Sequence, residues 1–197
     1  MRLKKKHNTA ILKNQLLAVI DLLDQHKILY HLEGGTLLGI VRDKGIIPWD
    51  HDTDISIMAA DFDKFKQIIP KIKNKNFRVK VKGFSSKSKF KAPNKERIIK
   101  IKDKNLLFFS GGNTLDVFIK YPIDNKVYWV AENNTMCVDE KFYLGYEEIE
   151  WEERKVKVPL NYKEYLSLKY GDWNIINKEW DCSMELTIVE KRSDNIN

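Results

Sequence analysis

Cysteine is scarce in this chain. Cys137 and Cys182 stand alone, without the short spacing that a zinc knuckle or a redox pair needs. They are read as buried free thiols, a disulfide being the alternative in a secreted setting. Long apolar runs are also lacking, and no uninterrupted stretch approaches the roughly 18 residues that a membrane-spanning helix requires. The basic opening, residues 1–7, imitates the start of a signal peptide. Lys13, Asn14, Gln15, Asp21 and Asp24 then interrupt the apolar residues, and no small-residue cleavage site follows. The chain is therefore read as soluble and cytoplasmic.

What is present is a lysine-rich chain of 197 residues, 43% hydrophobic and 32% charged, which excludes disordered and fibrous classes. That length predicts one domain over residues 1–190, followed by a polar tail over 191–197. The net charge of +7 is unevenly spread: residues 64–104 hold 16 lysines and arginines against 2 acids, whereas residues 132–154 lean acidic. A localised basic region suits a phosphate-bearing partner, the bland reading being a solvated lysine face.

Hydrophobic spacing predicts an amphipathic helix over about 9–27, carrying Leu12, Leu16, Val19, Ile20 and Leu23 on one side. A short strand at 28–32 follows. Gly34, Gly35 and Thr36 then open a helix that Gly45 stops, and residues 46–49 form an extended connector, because the residue before Pro48 avoids helical geometry. Asp52 to Met58 alternates as a strand, with Asp61 read as the N-cap of a helix weakened at its far end by Pro70. Further strands are expected at 77–81, 97–102, 106–109, 115–119 and 126–130, with turns at 83–88 and 110–113. Tyr162 to Tyr170 reads as a helix stopped by Gly171. The sum is an α+β fold, one mixed or antiparallel sheet with helices packed on it.

Chemistry concentrates between His31 and Ile55. Residues two apart on a strand share a face, so the carboxylates of Asp52 and Asp54 converge. Such a pair repels unless a cation intervenes, and an all-oxygen set suits Mg²⁺. Asp116 interrupts an apolar strand on the face opposite Leu115, Val117 and Ile119, which makes it the candidate third carboxylate if its strand lies beside the first. Gly34 and Gly35 let backbone approach an anion, and the N–H groups of the helix start attract phosphate. Arg42, further along that helix, is a candidate phosphate clamp. Against each stands a plain reading: Asp-x-Asp is a common surface pattern, and a glycine pair is often only a turn.

Taken together, the run from Gly35 through Arg42, Pro48, Trp49, Asp52 and Asp54 to Ile55 resembles the signature of LicD proteins and of fukutin and its relatives. These are similar to the nucleotidyltransferase superfamily, whose pattern is a glycine-led helix, an acid-x-acid strand and a third acid on a later strand. The likeness extends to Ile99-Lys100-Ile101, to the strand holding Asp116, and to residues 158–173. It implies a nucleotidyltransferase-like fold and a metal-dependent phosphotransferase. Asp52, Asp54 and Asp116 would be the catalytic and Mg²⁺- or Mn²⁺-binding residues, and Gly34, Gly35, Thr36, Arg42 and Lys100 would bind substrate. The implied donor is a CDP-activated alcohol carrying a phosphocholine- or ribitol-phosphate-like group, and the acceptor a glycan hydroxyl. His51 departs from the pattern, standing where many relatives carry aspartate. The alternatives are a nucleotidyltransferase acting on nucleic-acid ends, favoured by the basic stretch, and an inactive nucleotide- or glycan-binding module. Trp129, Trp151 and Trp180 are assigned to core or interface, Trp49 and Trp173 to the border of the pocket, and His7, His26 and His31 show no metal-ligand spacing.

Overall fold

The computed structural model of the protein describes residues 9–84, 96–104, 114–132 and 134–190. The turns expected at 85–88 and 110–113, the strand at 106–109 and the polar tail lie outside the described residues.

Helix α1 (Thr9–Gln25) is followed by β1 (Tyr30–Leu32), α2 (Gly34–Asp43), β2 (Asp52–Met58) and α3 (Phe62–Asn74). Strands β3 (Phe77–Gly83), β4 (Glu96–Asp103), β5 (Thr114–Ile123), β6 (Lys126–Ala131) and β7 (Asn134–Asp139) come next. A hairpin of β8 (Glu147–Trp151) and β9 (Arg154–Val158), helix α4 (Tyr162–Tyr170) and a short β10 (Ile188–Glu190) complete the order. The α+β expectation holds. Among the described residues, eight strands form one mixed sheet, and β8 with β9 forms a separate two-stranded one.

Strand β5 organises the sheet. Its first part lies between β2, to which it runs parallel, and β4, to which it runs antiparallel; its last residues turn away to pair with β6. A parallel pair needs a crossover connection, supplied here by α3, β3 and β4. The period-two geometry of strands then sorts side chains between two faces. Ile55, Ile57, Ile99, Ile101, Leu115, Val117 and Ile119 join the core with α1 and α3, where Leu16, Val19, Leu23, Phe65 and Ile68 are almost fully buried. Gln15 ties α1 to that sheet, its side-chain amide donating to the Ile101 carbonyl at 3.0 Å. The opposite face of the same strands carries Asp52, Asp54, Ser56, Asp116 and Lys100.

One local expectation needs correction. Asp61 occupies the N-cap position of α3, but its side chain makes no capping hydrogen bond; it holds Lys64 at 2.7 Å instead. The helix expected to carry Phe62 to Ile72 is present, and it runs past Pro70 to Asn74. Pro70 lacks an N–H, and the core contacts of Phe65, Ile68 and Ile72 on the buried face outweigh that one missing bond. The cysteines are free and half-buried. No helix among the described residues is long and apolar enough to cross a membrane.

Candidate active site

The parallel register of β2 and β5 puts Asp54 directly beside Asp116, and Asp52 lies one pleat along on the same face. Oxygens of the three carboxylates lie within 4.8 Å of one another, Asp116 the most buried of the three and Asp52 the most open. Antiparallel pairing sets Lys100 of β4 opposite Asp116 on the other side, and its ammonium pairs with Asp116 Oδ2. The second oxygen, Oδ1, is buried with no hydrogen-bond partner.

The start of α2 holds β2 in place. The Asp54 backbone N–H donates to Thr36 Oγ1 at 2.7 Å, and its carbonyl accepts from the Glu33 N–H at 3.0 Å. Gly34 has φ +52°, and a Cβ there would lie 2.5 Å from Asp54 Oδ2; a Cβ on Gly35 would lie 2.4 Å from Asp50 Oδ2. The left-handed backbone at Gly34 favours glycine, and at both positions a Cβ would have to displace an aspartate carboxylate. Gly34→Ala is expected to push the Asp54 carboxylate aside and weaken Mn²⁺ binding about 10–100-fold, as loss of a ligand's supporting contacts does. The left-handed backbone adds a stability cost of about 1–2 kcal/mol. Mn²⁺ titration followed by electron paramagnetic resonance, alongside urea unfolding, measures both. An unchanged Mn²⁺ affinity would show that Asp54 tolerates the intrusion.

Electrostatics follow from crowding. Burial, reinforced by the charges of Asp52, Asp116 and Asp50, pushes the Asp54 carboxyl well above the usual carboxylate range. Burial and the Asp116 charge raise Asp52 as well, and burial with the Asp52 charge raises Asp50 to about 6. Like charges this close, in an all-oxygen set with one orphaned buried oxygen, fit a hard divalent cation such as Mg²⁺ or Mn²⁺.

Behind the carboxylates lies a buried charged cluster that the sequence reading did not reach. Glu33, 2% exposed, accepts from Tyr143 at 2.5 Å, Tyr165 at 2.8 Å and Ser56 at 2.9 Å. Lys120, fully buried, lies 3.2 Å from Glu33 Oε1 and 3.2 Å from the Trp129 ring centroid. Lys169 pairs with Glu185 at 3.2 Å and approaches Glu33 at 3.9 Å. Burial alone would raise the Glu33 carboxyl, but Lys120, Lys169 and the two tyrosine hydroxyls hold it down at about 2. Burial lowers the Lys120 ammonium to about 7 despite Glu33.

A cavity of about 320 Å³ opens over this face, within the range of small-molecule sites. Gly34, Gly35, Asp52, Asp54, Lys100 and Asp116 line it, as do Arg97, Glu132, Lys169 and Tyr170. Two of the expected substrate-binding residues are not brought to its wall. Thr36 spends its hydroxyl on the Asp54 backbone. Arg42, in the last turn of α2, makes a two-pronged contact with Asp43, both distances being 2.8 Å. The tryptophans divide differently only in part, since Trp129 and Trp151 are buried in the core as expected. Trp129 and Trp180 line the cavity, while Trp49 lies under Lys178 and Trp173 donates to Ser167. Both differences have one cause, since strand pairing and the fold of the chain after α4, not proximity in sequence to a motif, decide what faces the carboxylates.

A glycine-led helix, an Asp-x-Asp strand and a third aspartate on the neighbouring strand define a nucleotidyltransferase-type α+β architecture. The sequence model described as LicD/FKTN/FKRP, nucleotidyltransferase domain, matches residues 27–161, more than half of the chain, and the chain belongs to that family. Among curated relatives, the lipopolysaccharide cholinephosphotransferase LicD of Haemophilus influenzae is 38% identical over 64 residues, covering 29% of this chain and 24% of that protein. The ribitol 5-phosphate transferase FKRP of Mus musculus is 27% identical over 167 residues, covering 82% of this chain and 31% of that one. An uncharacterized protein of Rickettsia typhi, RT0683, is 50% identical over 60 residues, covering 30% of this chain and 19% of its own length. The matches thus span less than a third of each of these relatives. Among solved structures, ANT(2'')-Ia aligns with a TM-score of 0.48 at 11% identity, over 90% of this chain and 80% of that one.

Proposed function

We propose that the chain is a metal-dependent phosphotransferase that moves a phospho-alcohol group, of the phosphocholine or ribitol-phosphate kind, from a CDP-activated donor to a glycan hydroxyl. The observation that carries the reading is the in-register meeting of Asp54 with Asp116, with Asp52 beside them, under an open cavity. Family membership, and relatives named as a cholinephosphotransferase and a ribitol 5-phosphate transferase, support the same chemistry.

Asp52, Asp54 and Asp116 Oδ1 would hold Mg²⁺ or Mn²⁺. Bound there, the cation would neutralise donor phosphate charge and act as a Lewis acid at the attacked phosphorus. Gly34 and Gly35 would let the donor's phosphates approach the N-terminus of α2, and Lys100 would offset charge developing on them. The acceptor oxygen would bond to phosphorus as the diphosphate linkage breaks. The products would be a phosphodiester and a nucleoside monophosphate, with the hydroxyl proton passing to a carboxylate of the cluster.

Screening CDP-alcohols and other nucleotide-activated alcohols against glycan acceptors, with mass detection of the transferred group, tests the proposal. A transferred phospho-alcohol that requires Mg²⁺ or Mn²⁺ is expected. A companion measurement needs no acceptor: at 100 times its Kd, a donor that binds only the folded state adds about 2.7 kcal/mol of stability. That gain is expected with divalent metal and not with EDTA.

Basic side chains on β3 and β4 favour a second reading. Cross-strand register sets Arg78 opposite Lys102 and Lys80 opposite Lys100, a like-charged pairing that suits a polyanion such as RNA. Steeply salt-dependent RNA binding, with nucleotide addition in place of phospho-alcohol transfer, would favour it.

A further inference from the structure

The cations that line the cavity, and Arg42 on α2, differ in how far their charge is already committed. Lys100 pairs with Asp116, Lys169 with Glu185 and Arg42 with Asp43. Arg97 differs: it precedes Lys100 on β4, lines the cavity, and is paired with no acid among the described residues. Its described contacts are two long bonds from one terminal nitrogen to main-chain carbonyls, Val130 at 3.4 Å and Glu132 at 3.3 Å. These tether one terminal nitrogen of the guanidinium to the end of β6 and leave Nε and the other terminal nitrogen unused. A partly buried guanidinium without an acid partner, beside a cavity, is costly unless an anion completes it. Burial disfavours its charge, and the nearby Asp116 carboxylate supports it.

We propose that Arg97 is the anion-binding residue of the cavity, taking the donor's diphosphate in a two-pronged hydrogen bond. The role that sequence position suggested for Arg42 thus falls to β4. This rests on the metal-dependent transfer reading, because the anion would lie beside the cation-binding carboxylates. Guanidinium geometry matches two phosphate oxygens at once, which a lysine at this position would not.

Inorganic pyrophosphate serves as the probe, since it carries the diphosphate without a base or an alcohol. Calorimetric titrations of Mn²⁺ alone, pyrophosphate alone and pyrophosphate with Mn²⁺ are compared for the wild type, Arg97→Met, Arg97→Lys and Arg42→Met. Arg97→Met is expected to bind Mn²⁺ as the wild type does and pyrophosphate about 10–100-fold more weakly, the worth of hydrogen bonds to a charged group. Arg97→Lys, which keeps the charge and loses the fork, should fall between; Arg42→Met should leave every titration unchanged. Wild-type pyrophosphate affinity in Arg97→Met, or in Arg97→Lys if the methionine variant does not fold, overturns the proposal. So does an equal loss in Arg42→Met, or a wild type that binds Mn²⁺ but no pyrophosphate. A wild type that binds no Mn²⁺ overturns the metal-dependent reading instead. Pyrophosphate binding that persists without Mn²⁺ and is lost in Arg97→Met would still support the role of Arg97.

Discussion

Asp54→Asn is expected to lower metal-dependent turnover by at least about 1000-fold while the folded protein survives, because metal-ion charge stabilisation contributes several kcal/mol to such reactions. The same substitution should raise the melting temperature of the metal-free protein. Asp54 is crowded by Asp52, Asp116 and Asp50, and burial with these charges lifts its folded pKa well above the ordinary 3.8. Between the unfolded and folded values the folded state binds more protons than the unfolded one, so the carboxylate erodes stability as pH rises through that window. An uncharged asparagine removes the repulsion and keeps the shape. Mn²⁺ should then stabilise the wild type and not the variant in thermal melts. Wild-type turnover in Asp54→Asn would end the proposed chemistry; lost turnover with a lowered melting temperature would mean that the side chain is structural.

Glu33→Gln should be the most damaging single change to stability away from the carboxylates, by about 3–5 kcal/mol, the usual cost of stripping one partner from a buried ion pair. Lys120 would then lack its counter-ion while fully buried, and Tyr143 and Tyr165 would donate to an amide in place of a carboxylate. Adding Lys120→Met should recover much of the loss, since the second charge then needs no partner. Urea unfolding of the two single variants and the double variant measures the coupling. The pH dependence has a definite sign. The folded pKa of Glu33 is depressed from 4.5 to about 2, so its contribution, about 3 kcal/mol, is complete above pH 4.5 and is lost as pH falls through about 2. Glu33→Gln should flatten that part of the stability profile. A variant with wild-type stability and an unchanged acid limb would mean that the cluster is not a structural anchor.

Legibility in the sequence tracked how local each signal is. Strand β2 falls at Asp52 to Met58 and helix α4 at Tyr162 to Tyr170, as periodicity and the Gly171 stop predict. The pairing of β2 with β5 was foreseen only as a condition, because no local pattern reveals which strands become neighbours. The β8–β9 hairpin went unread. Its apolar residues, Ile149, Trp151, Val156 and Val158, alternate with charges in the two-residue period of a strand, but the turn signal is missing, because Glu152 and Glu153 form the turn without glycine or asparagine, both at positive φ. Lys120 and Lys169 look in sequence like any surface lysines on a strand and a helix. Only the fold turns them inward, onto a glutamate that itself looks like a linker residue before the glycines. Arg97 looks in sequence like one more member of a basic stretch.

Because Asp54 and Asp116 become neighbours only when two parallel strands close around an intervening helix and hairpin, no short segment of this polypeptide can assemble the cation site alone. Ion affinity can therefore serve as an assay of completed topology. During refolding, the Mn²⁺ signal should emerge with the last cooperative step, later than any helical signal from α1 or α3.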